Sequence, residues 1–426
     1  QNDLKNDLTP LFNVILDYVP APAGDPEGPL QVRIANIDYD EYIGKIAVGK
    51  IARGTARYGQ TVALCHTDGT MSNVKAGRIY TFEGLNRQEV QEVPAGDIIC
   101  ISGLGDINIG ETICDTSCID PLPVIEVDEP TISMNFMVNS PFAGQEGEFV
   151  PSRHIRDRLF RELETNVSLK VEETDSADCF KVSGRGELHL SILIETMRRE
   201  GYEFQVSKPA VITKTIDGVL CEPVERLMID VPDEYTGVVM EGISQRKGEM
   251  TNMIPTSQGY TRLEFLIPAR GLIGFRNQLL TDTKGTAVMN SMFECYEPYK
   301  GEIQGRQRGS LVAFETGDAV AYGLFNAQER GSLFIGPGTK VYEGMVVGEN
   351  SRIGDVNVNV CKKKHITNTR ASGSDDALKL TPPRNMSLEQ CLEFIGDDEL
   401  LEITPENLRI RKKILKNDLR AKSRSK

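Results

Sequence analysis

The side chains best suited to chemistry in this sequence are cations, and they come in three groups. Between Cys361 and Arg384 the run CKKKHITNTRASGSDDALKLTPPR carries Lys362, Lys363, Lys364, His365, Arg370, Lys379 and Arg384 among Asn, Thr and Ser. Lysine and arginine neutralise phosphate, while hydroxyl and amide groups hydrogen-bond phosphate and the ribose 2′-hydroxyl. The mixture therefore points to nucleic acid, against the plainer reading of a solvated loop, and its ASGSDDA centre is expected to be disordered until RNA binds. A second group, Lys300, Arg306 and Arg308, lies between glycines in YKGEIQGRQRG, where the backbone can approach a nucleic-acid chain closely. In the third, Arg270 and Arg276 bracket the apolar turn and helix start of IPARGLIGFRNQLLTDTKG; there an arginine either meets phosphate or is simply solvated, and the sequence leaves both open.

Catalytic apparatus is not visible. The sequence has no G-x-x-x-x-G-K-[ST] phosphate loop, no G-x-S-x-G elbow and no H-E-x-x-H, and its four histidines (66, 154, 189, 365) fall in different segments. SGRGELHL resembles a phosphate-binding glycine turn but lacks a third glycine and carries Glu187 where an anion would sit, so it reads as a tight strand-to-helix turn with His189 on the helix. Nine scattered cysteines read as reduced core residues, and the Cys114/Cys118 pair has no second pair or nearby histidine to complete a metal site. No catalytic residue and no metal ligand is nominated.

Charge along the chain is segregated. The formal net charge is −14, while residues 409–426 carry +8, residues 385–408 carry −7 and the run 361–384 carries +4, which leaves −19 on residues 1–361. An acidic body of that kind is repelled by polyanions except where basic appendages lead. No apolar run approaches the roughly 20 residues of a membrane span, and the first 30 residues are too polar for a signal peptide, so a cytoplasmic protein with no membrane partner is expected.

Positioning these cations takes several domains, because 426 residues exceed what one core organises. The fold class expected is multidomain β and α+β. Residues 1–29 read as the last helix of an upstream domain, with Thr9 as N-cap and Pro10 at the first helical position, and a proline linker. Over 30–125, short alternating runs between glycine turns predict a small closed β-barrel. Residues 130–210 and 219–297 each follow the order β-α-β-β-α-β, two ferredoxin-like modules in tandem. Residues 298–426 turn mainly β, with AVAYGLF among the expected strands, the basic loop 361–384, a capping box at Ser387 and Gln390, and a last helix starting at Thr404 and Pro405 and running into the basic tail.

Particular stretches carry family likenesses. GKIAVGKIARGTARYGQTV with VPAGDIICISGL resembles the second domain of translational GTPases, and SGRGELHLSILIETMRREGYEFQVSKPAVI resembles the third domain of the elongation factor G group. IPARGLIGFRNQLLTDTKGTAVMN, followed by PYKGEIQGRQRGSLVAFETGDAVAYGLFNAQERGSLFIGPGTKVYEGMVVGE, resembles the BipA (TypA) family, and the likeness covers essentially the whole chain. Elongation factor G and LepA share the barrel and the two modules but not this C-terminal domain. The resemblance implies a ribosome-associated GTP hydrolase whose nucleotide domain, with its GTP and Mg, lies upstream of Gln1, so that this fragment holds no cofactor and is inactive alone. It also implies assembly of the large ribosomal subunit, translation under stress or cold, and a C-terminal domain that touches rRNA and the tRNA acceptor end. The contact candidates it carries over are Lys362, Lys363, Lys364, His365, Arg370 and Lys379, with Lys300, Arg306 and Arg308 beside them.

The expected partners are thus the ribosome's rRNA, tRNA and proteins, and nothing in the sequence calls for an obligate dimer, so a monomer is expected. Two other readings stay open: an elongation or translocation factor, and a scaffold that holds basic ribosomal proteins on its acidic body.

Overall fold

The computed structural model describes residues 8–20, 24–40, 42–124, 129–256, 259–303, 305–306, 308–363 and 379–424. The chain divides into two compact units, residues 1–127 with 160–167 and residues 128–159 with 168–426. No described helix is long and apolar enough to cross a membrane.

In the first unit, α1 (Thr9–Tyr18) has Leu8 at its N-cap position, one residue before the expected Thr9 and without a side-chain capping bond, with Pro10 in its first turn. Ten strands follow: β1 (Gln31–Asp40), β2 (Gly44–Arg53), β3 (Thr55–Arg57), β4 (Thr61–Cys65), β5 (Met71–Lys75), β6 (Ile79–Glu83), β7 (Asn86–Val90), β8 (Glu92–Pro94), β9 (Ile98–Ser102) and β10 (Thr112–Asp115). The period-two pattern that predicted them holds, since Val32, Ile34, Ile99 and Ile101 all enter one buried core. The expected closure is corrected: eight strands pair in the order β5-β4-β10-β1-β2-β9-β6-β7, with β3 and β8 as a separate pair, and no pairing among the described residues joins β5 to β7. Both end strands are largely exposed, and β7 reads NRQEV, the kind of charged edge that resists further pairing.

The second unit begins with β11 (Ile132–Val138), α2 (Ser152–Glu162), β12 (Lys170–Glu173), β13 (Cys179–Gly184), α3 (Glu187–Arg199) and β14 (Phe204–Ser207). The sheet runs β12-β13-β11-β14, the ferredoxin-like order, and Ile155 and Leu159, spaced i, i+4 on α2, are fully buried. After β15 (Ala210–Val211) and β16 (Lys214–Ile216) the order repeats: β17 (Val219–Pro232), α4 (Thr236–Gln245), β18 (Glu249–Pro255), β19 (Tyr260–Pro268), α5 (Ala269–Leu272), α6 (Phe275–Asp282) and β20 (Val288–Pro298). Here β17 is central, flanked by β20 and β19 with β18 outermost, and Leu227, Ile229, Val231, Leu263 and Phe265 form its core. Gly274, at φ 71°, separates α5 from α6, a backbone turn that a side chain disfavours.

The rest comprises β21 (Ser310–Ala313), β22 (Gly317–Asp318), α7 (Ala321–Gln328), β23 (Gly331–Leu333), β24 (Lys340–Val341), β25 (Val346–Asn350), β26 (Val356–Val358), α8 (Leu388–Phe394), β27 (Glu399–Ile403), β28 (Leu408–Lys412) and α9 (Asn417–Arg424). Two expectations are overturned. AVAYGLF forms part of the helix α7, because Leu324 and Ala327 share a helical face that packs with Ala319 and Val360; a short apolar run leaves helix and strand undecided by period alone. The helix expected from Thr404 is instead a hairpin: Thr404 and Asn407 exchange backbone and side-chain hydrogen bonds across the turn, and β28 returns along β27. That hairpin does not stay within the C-terminal β region. β27 pairs with β14, Val206 opposite Leu401, and so extends the sheet of the first ferredoxin-like module. The capping box at Ser387 and Gln390 is present as expected.

Candidate nucleic-acid interface

The basic run is entered from β26. Val360 is buried and accepts the Val320 N–H at 3.0 Å, and the Cys361 N–H is held by Asn359 Oδ1 at 3.0 Å. Lys362 and Lys363 then stand exposed with no ion pair among the described residues. Lys364, His365 and Arg370 lie outside the described residues. The chain returns at Lys379, also exposed, whose carbonyl accepts from Gln328 Nε2 at 3.0 Å; Gln328 Oε1 accepts the Thr381 N–H at 3.0 Å and its hydroxyl at 2.9 Å. Both ends of the run are thus fastened to α7, for its Gly323 comes so close to the other end that a Cβ there would lie 2.2 Å from the Val360 oxygen. Arg384 is partly neutralised by Glu349, 3.2 Å from its Nη1.

The other two groups fare differently. Lys300 pairs with Glu249 at 2.8 Å and Glu297 at 3.0 Å. Arg306 pairs with the fully buried Glu399, bonds Ser310 Oγ at 3.2 Å, and lies 3.9 Å from the centre of the Phe394 ring. Arg270 grips the fully buried Glu222 with two nitrogens and stacks over Tyr299 at 4.3 Å. These three cations hold the protein together. Arg276 is exposed and donates to the Met289 carbonyl at 3.3 Å, and Arg308 is exposed with no ion pair among the described residues.

Comparison with known proteins finds family likenesses along the chain. A model of the elongation factor Tu domain 2 matches residues 44–114, one of the elongation factor G C-terminus matches 219–307, and one of the TypA/BipA C-terminal domain matches 308–417. The large ribosomal subunit assembly factor BipA of a Synechocystis species is 53% identical over 412 residues, 96% of this chain and 69% of that protein. The chain belongs to the BipA family. Its Bacillus subtilis relative, of the same name, is 51% identical and covers 98% of this chain and 68% of its own length. A crystal structure of a Thermus thermophilus protein aligns at 16% identity with a TM-score of 0.43, over 69% of this chain and 59% of that one.

Within the BipA-type C-terminal region, the tail that looks most basic in sequence is largely spent on internal contacts. Lys412 is almost fully buried, 2.7 Å from Asp355, 2.9 Å from Asp398 and 2.9 Å from Glu399. Burial opposes its charge, but the three carboxylates outweigh that and raise its pKa. Arg409 pairs with Glu146, Arg411 donates to Ser140 Oγ at 2.9 Å, and Arg420 donates to Asn357 Oδ1 at 3.0 Å. Sequence reasoning missed this cluster. Its only trace was the acidic stretch 385–408 directly preceding the basic one, the pattern of two strands that neutralise each other.

Proposed function

We propose that this chain is the ribosome-docking body of an assembly factor for the large ribosomal subunit, with the run entered at Lys362 and left at Lys379 as its RNA probe. The observation that carries this reading is the contrast among the cations: Lys362, Lys363 and Lys379 are exposed with no acidic partner among the described residues, whereas Lys300, Arg306, Arg270 and Lys412 are paired with carboxylates. The name shared by the relatives, large ribosomal subunit assembly factor, supports the ribosome as partner. Lys364, His365, Arg370 and Arg384 belong to the same proposed contact, with Arg308 and Arg276 as further exposed candidates, and rRNA and the tRNA acceptor end as the RNA met. The match to elongation factor Tu domain 2 supports a parent protein that uses GTP with Mg; no residue of this chain is proposed to hold either. Action as a monomer in the cytoplasm, including under stress or cold, belongs to the same reading.

Sedimentation of the chain with large ribosomal subunits across a tenfold salt range tests it. Each phosphate contact should add about 0.7 to 0.9 to the slope of log affinity against log salt, so changing Lys362, Lys363 and Lys364 together to Ala should lower the slope by about 2 to 3. Salt-independent affinity, or an unchanged slope in the triple variant, refutes the RNA probe. Binding that survives nuclease digestion of the subunit favours the protein scaffold instead.

A further inference from the structure

Between the two ferredoxin-like modules of the second unit lies a cavity of about 460 Å3 that RNA docking leaves unused. That is within the size range of small-molecule sites. Ile132 and Leu188 of the first module face it, as do Leu272, Met292 and Phe293 of the second. Glu225, from β17, also lines it and is 8% exposed. No lysine, arginine or histidine pairs with Glu225 among the described residues. Burial raises its pKa, and the Ser291 hydroxyl, the one neighbour that favours the ionised form, does not cancel this.

The cavity is negative beyond Glu225. Glu187, in the first turn of α3, lines it too; burial raises its pKa, its Oε2 accepts the Gly274 N–H at 3.3 Å, and Glu393 and Glu389 add negative potential that Arg246 offsets only in part. Arg185 and Arg276 belong to the lining as well, but both are exposed, Arg185 Nε donating to Ser168 Oγ at 2.8 Å and Arg276 to the carbonyl of Met289, another lining residue, and neither pairs with Glu225 among the described residues. A buried, uncompensated carboxylate beside apolar walls is costly to maintain, and a cation that brings its own apolar body removes the cost.

We propose that this cavity is a binding site for an organic cation, a guanidinium or amidinium head on an apolar body, with the head on Glu225 and the body against the Phe293 wall. A planar guanidinium is preferred to an ammonium because its fork matches a carboxylate through two parallel hydrogen bonds, it gives up water more readily, and it stacks on an aromatic face. The same head occurs on a free small molecule and on an arginine side chain of a peptide. This inference is independent of the RNA probe between Lys362 and Lys379; of the further RNA candidates only Arg276 borders the cavity.

The probe is p-aminobenzamidine, whose fluorescence rises in apolar surroundings, titrated into the full chain. Saturable binding is expected, weakened at least tenfold in Glu225→Gln and several-fold in Phe293→Leu, with Lys340→Ala, at an exposed lysine outside the cavity, unchanged. Glu225→Gln removes a buried charge at constant shape, so the variant should melt no lower than the parent; Phe293→Leu gives a second reading should it not fold. Displacement by agmatine but not by a short arginine peptide supports a free ligand, displacement by the peptide supports a protein side chain, and either supports the site. No saturable binding, full affinity in Glu225→Gln, or failure of both competitors overturns it.

Discussion

Arg270→Ala separates a structural arginine from an RNA-binding one. Glu222 is 0% exposed and receives two bonds from the Arg270 guanidinium, the one to Nη2 at 3.0 Å, and a third from the Lys300 N–H at 2.8 Å. Removing the guanidinium leaves a buried carboxylate with a single backbone donor. Breaking a buried pair from one side costs about 3–5 kcal/mol, and the lost stacking on Tyr299 adds about 0.5–2 kcal/mol. Relaxation that lets water reach Glu222 offsets some of this, so a net loss of about 3–5 kcal/mol is expected. Arg270→Lys should recover only part of it, because an ammonium cannot supply the paired donors. The double variant Arg270→Met with Glu222→Gln should recover most, since no charge is then stranded. Urea unfolding followed by hydrogen exchange in peptides from 219–298 reads the local free energy directly. A loss below about 1 kcal/mol in Arg270→Ala, the range of an exposed pair, would refute the reasoning, as would a double variant no better than the single. Weakened ribosome binding with unchanged stability would move Arg270 back among the RNA contacts.

Two further outcomes follow from other buried groups. Glu402 is fully buried and burial pushes its pKa to about 7, with the Tyr342 hydroxyl, Arg409 and Arg411 acting the other way; because the folded state holds the proton more tightly than the unfolded chain, its stabilisation is complete below about pH 4.3 and falls away as pH rises through about 7, by up to about 3 kcal/mol. Glu402→Gln should therefore lose less melting temperature than the parent between about pH 5 and pH 8, and parallel pH profiles would contradict this. Gly323→Ala places a Cβ 2.2 Å from a backbone oxygen that cannot swing aside, so a loss of about 2–3 kcal/mol and weaker ribosome binding are expected in denaturation and sedimentation; a variant of parental stability would show that α7 can shift on the strand it supports.

Much of the fold was readable because its signals are local. Paired apolar positions such as Val32 with Ile34 set the strands of the first unit, and Ile155 with Leu159 set a helix of the first module, so both βαββαβ orders emerge from period alone. What failed was non-local. AVAYGLF carries a pattern that either element satisfies, and only its burial against Val360 decides for a helix. Thr404 and Pro405 suit a helix start, but they also suit a hairpin turn, and the open edge of β14, some 200 residues earlier in the chain, selects the hairpin. The candidate site divided in the same way. Residue type nominated twelve cations, and ion pairing then separated those among the described residues, because the partners that neutralise Arg270 and Arg306 lie at Glu222 and Glu399, distant in sequence.

On the proposed reading, the arrangement of charges gives an acidic chain a route to RNA. Part of the positive tail is turned inward: Lys412 and Arg409 bind carboxylates that would otherwise add to the repulsion, and they do so on the hairpin that continues the first module's sheet, while Lys413 and Lys416 stay exposed. Where the chain leaves and rejoins α7, Lys362, Lys363 and Lys379 are all exposed. Since Gly323 and Gln328 hold the two ends of that run on one helix, a phosphate chain engaging the loop pulls against α7 and the core around Leu324 and Val360 rather than against a free tether. Loosening either attachment should then weaken binding even with every lysine in place, because the charges would no longer be presented together.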